Sequence, residues 1–160
     1  MPKGWSLAAA GLCLIVGGWR DANAQAKPGA PIPIELNRLE SLPAAGGSPG
    51  GPQSSGVGCR VYIVVTNPDA EPISQLRLDV MMFNTDGIVS RRVDLELGPL
   101  PAHKTAVRLF DIQGQPCDGI SRLLVNDVLC SAGPSTDPNQ HQACLDRLQL
   151  SSRAKAELTK

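Results

Sequence analysis

The clearest alternation of apolar and polar residues runs from Gln75 to Phe83. Every second side chain in this stretch is apolar and would lie on one face of a β-strand: Leu76, Leu78, Val80 and Met82. Residues 84–87, Asn-Thr-Asp-Gly, follow and tolerate the positive φ of a tight turn. Residues 92–97 then alternate again. The pattern predicts a β-hairpin with one buried side and one solvent-exposed side.

Five further segments carry strand patterns: residues 34–40, 60–66, 105–110, 120–129 and 148–152. The second of them is β-branched and apolar on both faces, which predicts a central place in a sheet. The first and the fourth also fit a helix, although we favour a strand for both. Turns containing proline or glycine separate the central segments. Residues 144–147 fit one helical turn.

Seven strands without a helix long enough for a crossover predict an all-β chain. We expect an antiparallel immunoglobulin-like sandwich of about seven strands, stapled by disulfides, with its core at residues 59–154. The 16 glycines and 14 prolines suit such a loop-rich fold. Residues 155–160 form a tail that is expected to fray.

Residues 1–24 have the pattern of a signal peptide. Lys3 supplies a positive charge, residues 6–18 form an apolar run, and small residues then predict cleavage after Ala24 or Ala26. Because the run is short for a membrane span, we expect no stable membrane insertion after cleavage, with an uncleaved anchor as the alternative. The mature protein is therefore expected to be periplasmic or secreted.

Residues 27–58 are rich in proline and glycine and contain one predicted strand near 34–40. Residues 41–58 have almost no large apolar side chain, which is typical of a flexible linker. Such a linker would let the first strand reach an edge of the folded domain. It would equally let that strand pair with a second copy of the chain.

Four cysteines remain after signal cleavage, and an even number in an exported chain predicts two disulfides. Three pairings are possible, and we favour Cys59–Cys117 and Cys130–Cys144, because the second pair closes a short turn-rich loop. A four-thiolate zinc site is the alternative. It is disfavoured because no two of these cysteines have the close spacing usual in zinc sites.

A resemblance to a known family covers about residues 60–112. The stretch contains VVTNPDAEPISQLRLDVMMFNTDGIV and LELGPLPAHKTAVRLF, in which a strand ending in Asn precedes a hairpin, a proline-containing turn and a strand ending in Phe. In this order it resembles secreted immunoglobulin-like modules of the FxLYD type. Residues 83–86, Phe-Asn-Thr-Asp, lack the Leu-Tyr pair of that motif. The resemblance implies an exported sandwich used for binding or assembly.

The charge balance, 15 basic against 15 acidic residues, gives no indication of a nucleic-acid partner or an anionic membrane surface. His103 and His141 are the only histidines, and neither has a metal-ligand spacing, so we expect both in exposed loops. The pattern of Asn84, Asp86 and Glu96 fits a hairpin turn better than a calcium loop, since strands flank it.

No catalytic residue, metal ligand or cofactor site is predicted. The chain has no G-x-S-x-G motif, and Ser131 and Ser135 lie in a turn-like segment. Asn126 and Asp127 interrupt an apolar strand. Because polar groups there must be hydrogen-bonded or face solvent, they indicate a β-bulge or a sheet edge rather than a site.

Four arginines form a candidate docking face for another protein: Arg77, Arg91, Arg92 and Arg108. Arginine is enriched at protein interfaces, which is the reason for this hypothesis. Acidic residues alternate with the arginines, however, and mixed charge on a solvated sheet face is the alternative.

These patterns favour a non-enzymatic exported protein of the cell envelope. We expect a periplasmic binding or accessory protein that acts through contacts with an envelope protein whose identity the sequence does not give. One alternative is an inhibitor or sensor of a secreted enzyme, presenting the loop at residues 133–140 that the second disulfide would close. A second alternative is a hydrolase with an unrecognised site.

Overall fold

The strands of this protein belong to two sheets. A computed structural model describes residues 29–42, 58–131 and 139–160 of the chain. The elements of the described chain are β1 (Ile32–Leu42), β2 (Gly58–Thr66), β3 (Gln75–Phe83), β4 (Val89–Glu96), β5 (Thr105–Gln113), a 3-10 turn (Cys117–Gly119), β6 (Arg122–Ser131), α1 (Asn139–Arg147), β7 (Leu148–Ser152) and β8 (Glu157–Thr159). The predicted signal peptide and most of the predicted linker lie outside the described residues.

Each sheet has four strands. The first sheet has the order β5-β2-β1-β7 and the second has the order β4-β3-β6-β8. Their inner faces meet in one apolar cluster, so the architecture is sandwich-like and the prediction of a mostly-β fold is confirmed. Both sheets are mixed, because β1 pairs with β7 and β6 with β8 in parallel. The prediction of purely antiparallel sheets is therefore wrong. β1 and β7 are far apart in sequence, and the connection from β6 to β8 contains both α1 and β7. The parallel pairs are thus joined through several elements rather than by one long crossover helix.

The core consists of alternate side chains from the strands of both sheets. The fully buried residues of its three longest runs are Ile32, Ile34, Leu36, Cys59, Val61, Ile63, Val65, Leu76, Leu78, Val80 and Met82. The central place predicted for 60–66 is confirmed, since β2 lies between β1 and β5. β1 is also central, between β2 and β7, rather than at an edge of the fold.

The predicted hairpin is present as β3 and β4. Leu78 lies opposite Leu95 and Val80 opposite Val93, which places the predicted apolar faces in register. At the turn, the side-chain oxygen of Asn84 accepts hydrogen bonds from the backbone N–H of Asp86 and Ile88, at 3.0 and 2.9 Å. Gly87 has φ 76°, a value that glycine adopts without the steric cost of a Cβ.

Asn126 forms a β-bulge in β6. Asp79 pairs with Asp127 and Val80 pairs with Val125, so Asn126 has no partner residue on β3. The bulge interpretation of this polar pair is confirmed. It keeps Val125 and Val128 on the buried side although they are three positions apart, with two residues between them.

Asn67 is the buried polar side chain of the described core. Its Nδ2 donates to the carbonyl oxygens of Glu71, Leu100 and Pro101, at 2.9 to 3.2 Å, and its Oδ1 accepts from the N–H of Asp69 at 3.1 Å. Because a buried amide must be hydrogen-bonded, this side chain fastens the turn after β2 to the segment before β5.

Both favoured disulfides are present. Cys59–Cys117 joins β2 to the 3-10 turn and Cys130–Cys144 joins β6 to α1, with Cα–Cα distances of 4.9 and 6.3 Å. The second disulfide connects a strand of the second sheet to the helix that leads into β7 of the first. Each therefore links segments that backbone pairing does not hold together.

The C-terminal residues, predicted to fray, instead form β8, in which Leu158 is buried beside Ala156. Lys160 reaches back to the end of α1, where its Nζ donates to the carbonyl oxygens of Leu145 and Leu148 at 2.6 and 2.8 Å. The tail is ordered because it completes the second sheet and caps the helix. The helix itself begins at Asn139, earlier than the single turn predicted at 144–147.

Candidate functional site

The four arginines of the predicted docking face do not share one surface. Arg77 and Arg92 lie on the outer face of the second sheet, where Arg77 is opposite Glu96 and Arg92 is opposite Met81. Arg91 and Arg108 instead connect the two sheets at the edge formed by β4 and β5. Only the first two could therefore contact a partner on a single sheet face.

Arg108 points toward the inner side of the first sheet. Its Nε donates to the carbonyl oxygen of Leu97 and its Nη2 to that of Pro99, both at 3.0 Å. Arg91 makes the reciprocal contact from β4, donating from Nη1 to the carbonyl oxygen of Gln113 at 2.8 Å. These two side chains satisfy backbone carbonyls across the open side of the sandwich, which is a structural role.

Three aspartates lie in register across the outer face of the second sheet. Asp94 of β4 and Asp127 of β6 both pair with Asp79 of β3. Arg92 Nε donates to Asp79 Oδ1 at 2.7 Å and Asn126 Nδ2 donates to Asp79 Oδ2 at 3.0 Å. Partial burial raises the pKa of Asp79, but the hydrogen bonds from Arg92 and Asn126 outweigh it and leave the pKa below its ordinary value.

The charged and polar side chains of this face therefore bond to one another. The space among these side chains is a shallow cleft of about 160 Å³ that Arg77 also lines. Within the described ranges, no group of three or more His, Cys, Asp or Glu side chains is arranged to hold a metal ion. The alternative of a solvated face with alternating charges describes this arrangement well.

An apolar face lies on the outside of the first sheet, and we define it as Tyr62, Val64, Val107 and Leu109. Val64 lies directly opposite Val107, and Tyr62 lies opposite Leu109. Val107 and Leu109 are 53% and 50% exposed and lie next to each other's β2 partners, so the exposed apolar surface is continuous. They belong to β5, an edge strand whose backbone pairs only with β2 among the described strands.

Charged pairs border the apolar face. Arg60 donates from Nε to Asp111 Oδ1 at 2.6 Å, and this hydrogen bond lowers the pKa of the Asp111 carboxyl. Arg38 stacks on the Tyr62 ring, with 5.4 Å from its guanidinium carbon to the ring centroid, and the Tyr62 hydroxyl hydrogen-bonds Glu40. The face thus has an apolar centre and a polar rim, the general anatomy of a protein interface.

The sequence did not reveal this face because it did not tell which side of β5 is buried. Alternation divides the strand into one set containing Ala106 and Arg108 and another containing Val107 and Leu109. Arg108 argues against burying the first set and the two aliphatic residues favour burying the second, whereas Phe110, in phase with Arg108, favours burying the first. The sequence signal for this face is Ile112. It lies on the same side of β5 as Arg108, and that side is buried.

The remaining candidate residues that the structure describes make local contacts with the turns and strand ends where they lie. His103 is exposed in a turn with φ 53°, and its Nδ1 lies 3.0 Å from the carbonyl oxygen of Pro68. Ser131 ends β6, and its Oγ lies 3.2 Å from that of Ser74. His141 belongs to α1, but its side chain lies outside the described residues, as do Ser135 and most of the predicted loop at 133–140. The calcium-loop alternative has no support, since the Asn84 side chain caps the hairpin turn.

These features define a disulfide-linked, sandwich-like β protein with an apolar outer face. Comparison with protein-family models, with curated proteins and with solved structures finds no match to this chain. The resemblance to FxLYD-type modules stays a prediction. No helix of the described part is long and apolar enough to cross a membrane.

Proposed function

We propose that this protein is a non-enzymatic exported protein that acts in the periplasm as a binding or accessory protein of the cell envelope. Its function is to hold another envelope protein through a direct contact. The observation that carries the proposal is the apolar face of Tyr62, Val64, Val107 and Leu109, with its polar rim. The immunoglobulin-like relationship implied by the FxLYD resemblance is part of the same proposal.

The compartment is supported by two independent features. Disulfides form and persist in oxidising compartments, and this chain has two of them. The N-terminal residues have the charge, apolar run and small-residue sites of a secretory signal. A protein exported in this way would fold after translocation, where its cysteines can oxidise.

The contact is supported by the chemistry of β5. An edge strand presents backbone N–H and C=O groups that a second chain can use, and apolar side chains on its outer face add affinity. β5 contains no proline or lysine and pairs with β2 without a register shift. Its one inward-pointing charge, Arg108, donates to the carbonyl oxygens of Leu97 and Pro99. A partner would therefore cover Val107 and Leu109 first.

The test is a crosslinked pull-down of tagged mature protein from an envelope extract, with the wild type compared with the double variant Val107→Thr/Leu109→Thr. Threonine keeps the β-propensity of the strand and removes the apolar surface. We expect the wild type to retain one near-stoichiometric partner and the variant to retain about tenfold less of it, because central apolar contacts dominate interface energetics. Intact-mass measurement of the periplasmic protein checks cleavage after Ala24 or Ala26.

The matched control is Ile88→Thr/Val89→Thr, which makes the same kind of change at two exposed apolar residues, one in the β3–β4 turn and one at the start of β4. This control should capture the partner as the wild type does. Equal capture by the β5 variant would refute the role of the apolar face. Turnover of a substrate that disappears with one point substitution would refute the non-enzymatic function.

A further inference from the structure

A second cleft, of about 320 Å³, lies on the second sheet beside the β3–β4 turn. Arg122 stands at its centre, because β6 pairs Arg122 with Phe83 on one side and with Glu157 of β8 on the other. Lys155 also lines the cleft. The site is thus assembled from three strands, and it lies on the opposite sheet from the apolar face.

The Arg122 guanidinium lies over an aromatic ring, with 4.0 Å from its carbon atom to the centroid of Phe83. Its Nε is buried and has no hydrogen-bond partner within the described part of the chain. A guanidinium has five N–H donors and no acceptor, and a buried donor without an acceptor is unfavourable. Because the Nε atom is buried, an acceptor from outside would reach the Nη donors, which make no hydrogen bond with another described residue.

The charges of the cleft do not balance. Lys155 is exposed and makes no ion pair or hydrogen bond with another described residue. Glu157 is the one carboxylate that lines the cleft, so Arg122 and Lys155 leave a single net positive charge. Gly87 also lines the cleft, and no heavy atom lies within 4 Å of the position that a Cβ would take there.

We propose that this cleft binds a carboxylate group, which Arg122 holds through paired N–H donors and Lys155 holds through its ammonium. A planar carboxylate matches the fork of the guanidinium, and its single negative charge matches the net charge of the cleft. Glu157 opposes a second negative charge, which disfavours a phosphate dianion. The carboxylate can belong to a small molecule or to a polypeptide terminus. The inference does not depend on the proposed function, since the two sites lie on different sheets.

The test is an NMR titration of the mature, disulfide-intact protein, following the Nε–H resonance of Arg122. Sodium acetate should move this resonance saturably at constant ionic strength, whereas sodium chloride should not. A short blocked peptide with a free C-terminal carboxylate is then compared with its amide. Binding of the free-acid peptide tighter than acetate would assign the site to a polypeptide terminus, and equal affinity would assign it to the carboxylate group alone.

Substitutions at three exposed residues test the contribution of each charge to acetate binding. Lys155→Gln should weaken acetate binding by about fivefold and Glu157→Gln should strengthen it by about fivefold, as expected for one charge contact in a solvated site. Lys104→Gln removes an exposed lysine far from the cleft in sequence and should leave the affinity unchanged. A resonance of Arg122 that does not respond to acetate, or equal affinities for all the variants, would overturn the proposal.

Discussion

Arg147, at the end of α1, donates a hydrogen bond from its Nη2 to the carboxylate of Asp69, which lies 78 residues earlier in the turn after β2. The same two side chains hold Ala30, because its N–H donates to Asp69 Oδ1 at 3.1 Å and its carbonyl oxygen accepts from Arg147 Nε at 3.0 Å. Both side chains are only about a quarter exposed. This contact therefore fastens the chain that enters β1 to both the helix and the turn.

The energetic coupling of Asp69 and Arg147 can be measured by a double-mutant cycle. We expect Asp69→Asn and Arg147→Met to destabilise the protein individually, and the cycle to give a coupling of about 1 kcal/mol, at the upper end for partly exposed ion pairs. Urea unfolding of the wild type, the two single variants and the double variant provides the measurement. A coupling indistinguishable from zero would show that the contact contributes nothing beyond its separate hydrogen bonds to Ala30.

The two disulfides should contribute unequally to stability. They close loops with sequence separations of 58 and 14 residues. Chain entropy then predicts a loss of about 4 kcal/mol for Cys59→Ala/Cys117→Ala and about 3 kcal/mol for Cys130→Ala/Cys144→Ala. Denaturant unfolding of both variants at one temperature tests this order. A larger loss from the shorter loop would mean that packing at α1, rather than loop closure, determines the effect.

Asp79 predicts a pH dependence of stability. Its pKa in the folded protein is below the ordinary value of 3.8, so the folded state favours its charged form. The resulting stabilisation is present above pH 3.8 and is lost as the pH falls through the lower, folded pKa. The stability difference between the wild type and Asp79→Asn should therefore shrink below about pH 4.

Urea unfolding of the two proteins between neutral and strongly acidic pH measures that difference. Asp118→Asn, which removes an exposed carboxylate from the 3-10 turn, serves as the control for the loss of one negative charge. A difference between the wild type and Asp79→Asn that stays constant with pH would contradict the role of the Arg92 and Asn126 hydrogen bonds.

Lys160 provides a test of the ordered C-terminus. Its ammonium lies against the last carbonyl groups of α1, where a positive charge also interacts favourably with the negative end of the helix dipole. Lys160→Met should lower the free energy of unfolding by roughly 0.5–1 kcal/mol. Lys155→Met, on an exposed residue of the same tail, is the matched comparison and should have a smaller effect. Equal effects of the two substitutions would assign the loss to overall charge instead.

Local patterns predicted the hairpin and both disulfides because their determinants are close in sequence or few in number. Leu76, Leu78 and the Asp-Gly turn specify β3 and β4 without reference to the rest of the chain. Four cysteines permit three pairings, and the short loop after Cys130 distinguishes one of them. Such features can be predicted without knowing which strands become neighbours.

The parts that were missed depend on long-range pairing. β8 has three residues, and Leu158 is buried only because β6 lies beside it. Arg108 lies on the inner side of β5 because the carbonyls of Leu97 and Pro99 are within its reach at the sheet edge. The cleft around Arg122 likewise combines residues from strands far apart in sequence. No alternation pattern contains that information.

The β-bulge at Asn126 allows a test of the register between β3 and β6. Deleting Asn126 would leave Val125 opposite Val80 and Asp127 opposite Asp79, since the bulged residue has no partner on β3. The variant should therefore fold, with a stability loss of roughly 1–2 kcal/mol from the missing hydrogen bond to Asp79. Deleting Leu124 instead removes a paired residue and would turn the side chains on one side of the deletion to the wrong face of the sheet. Circular dichroism and thermal unfolding should show a cooperative transition for the first deletion and none for the second, and similar behaviour of the two would contradict the assigned register.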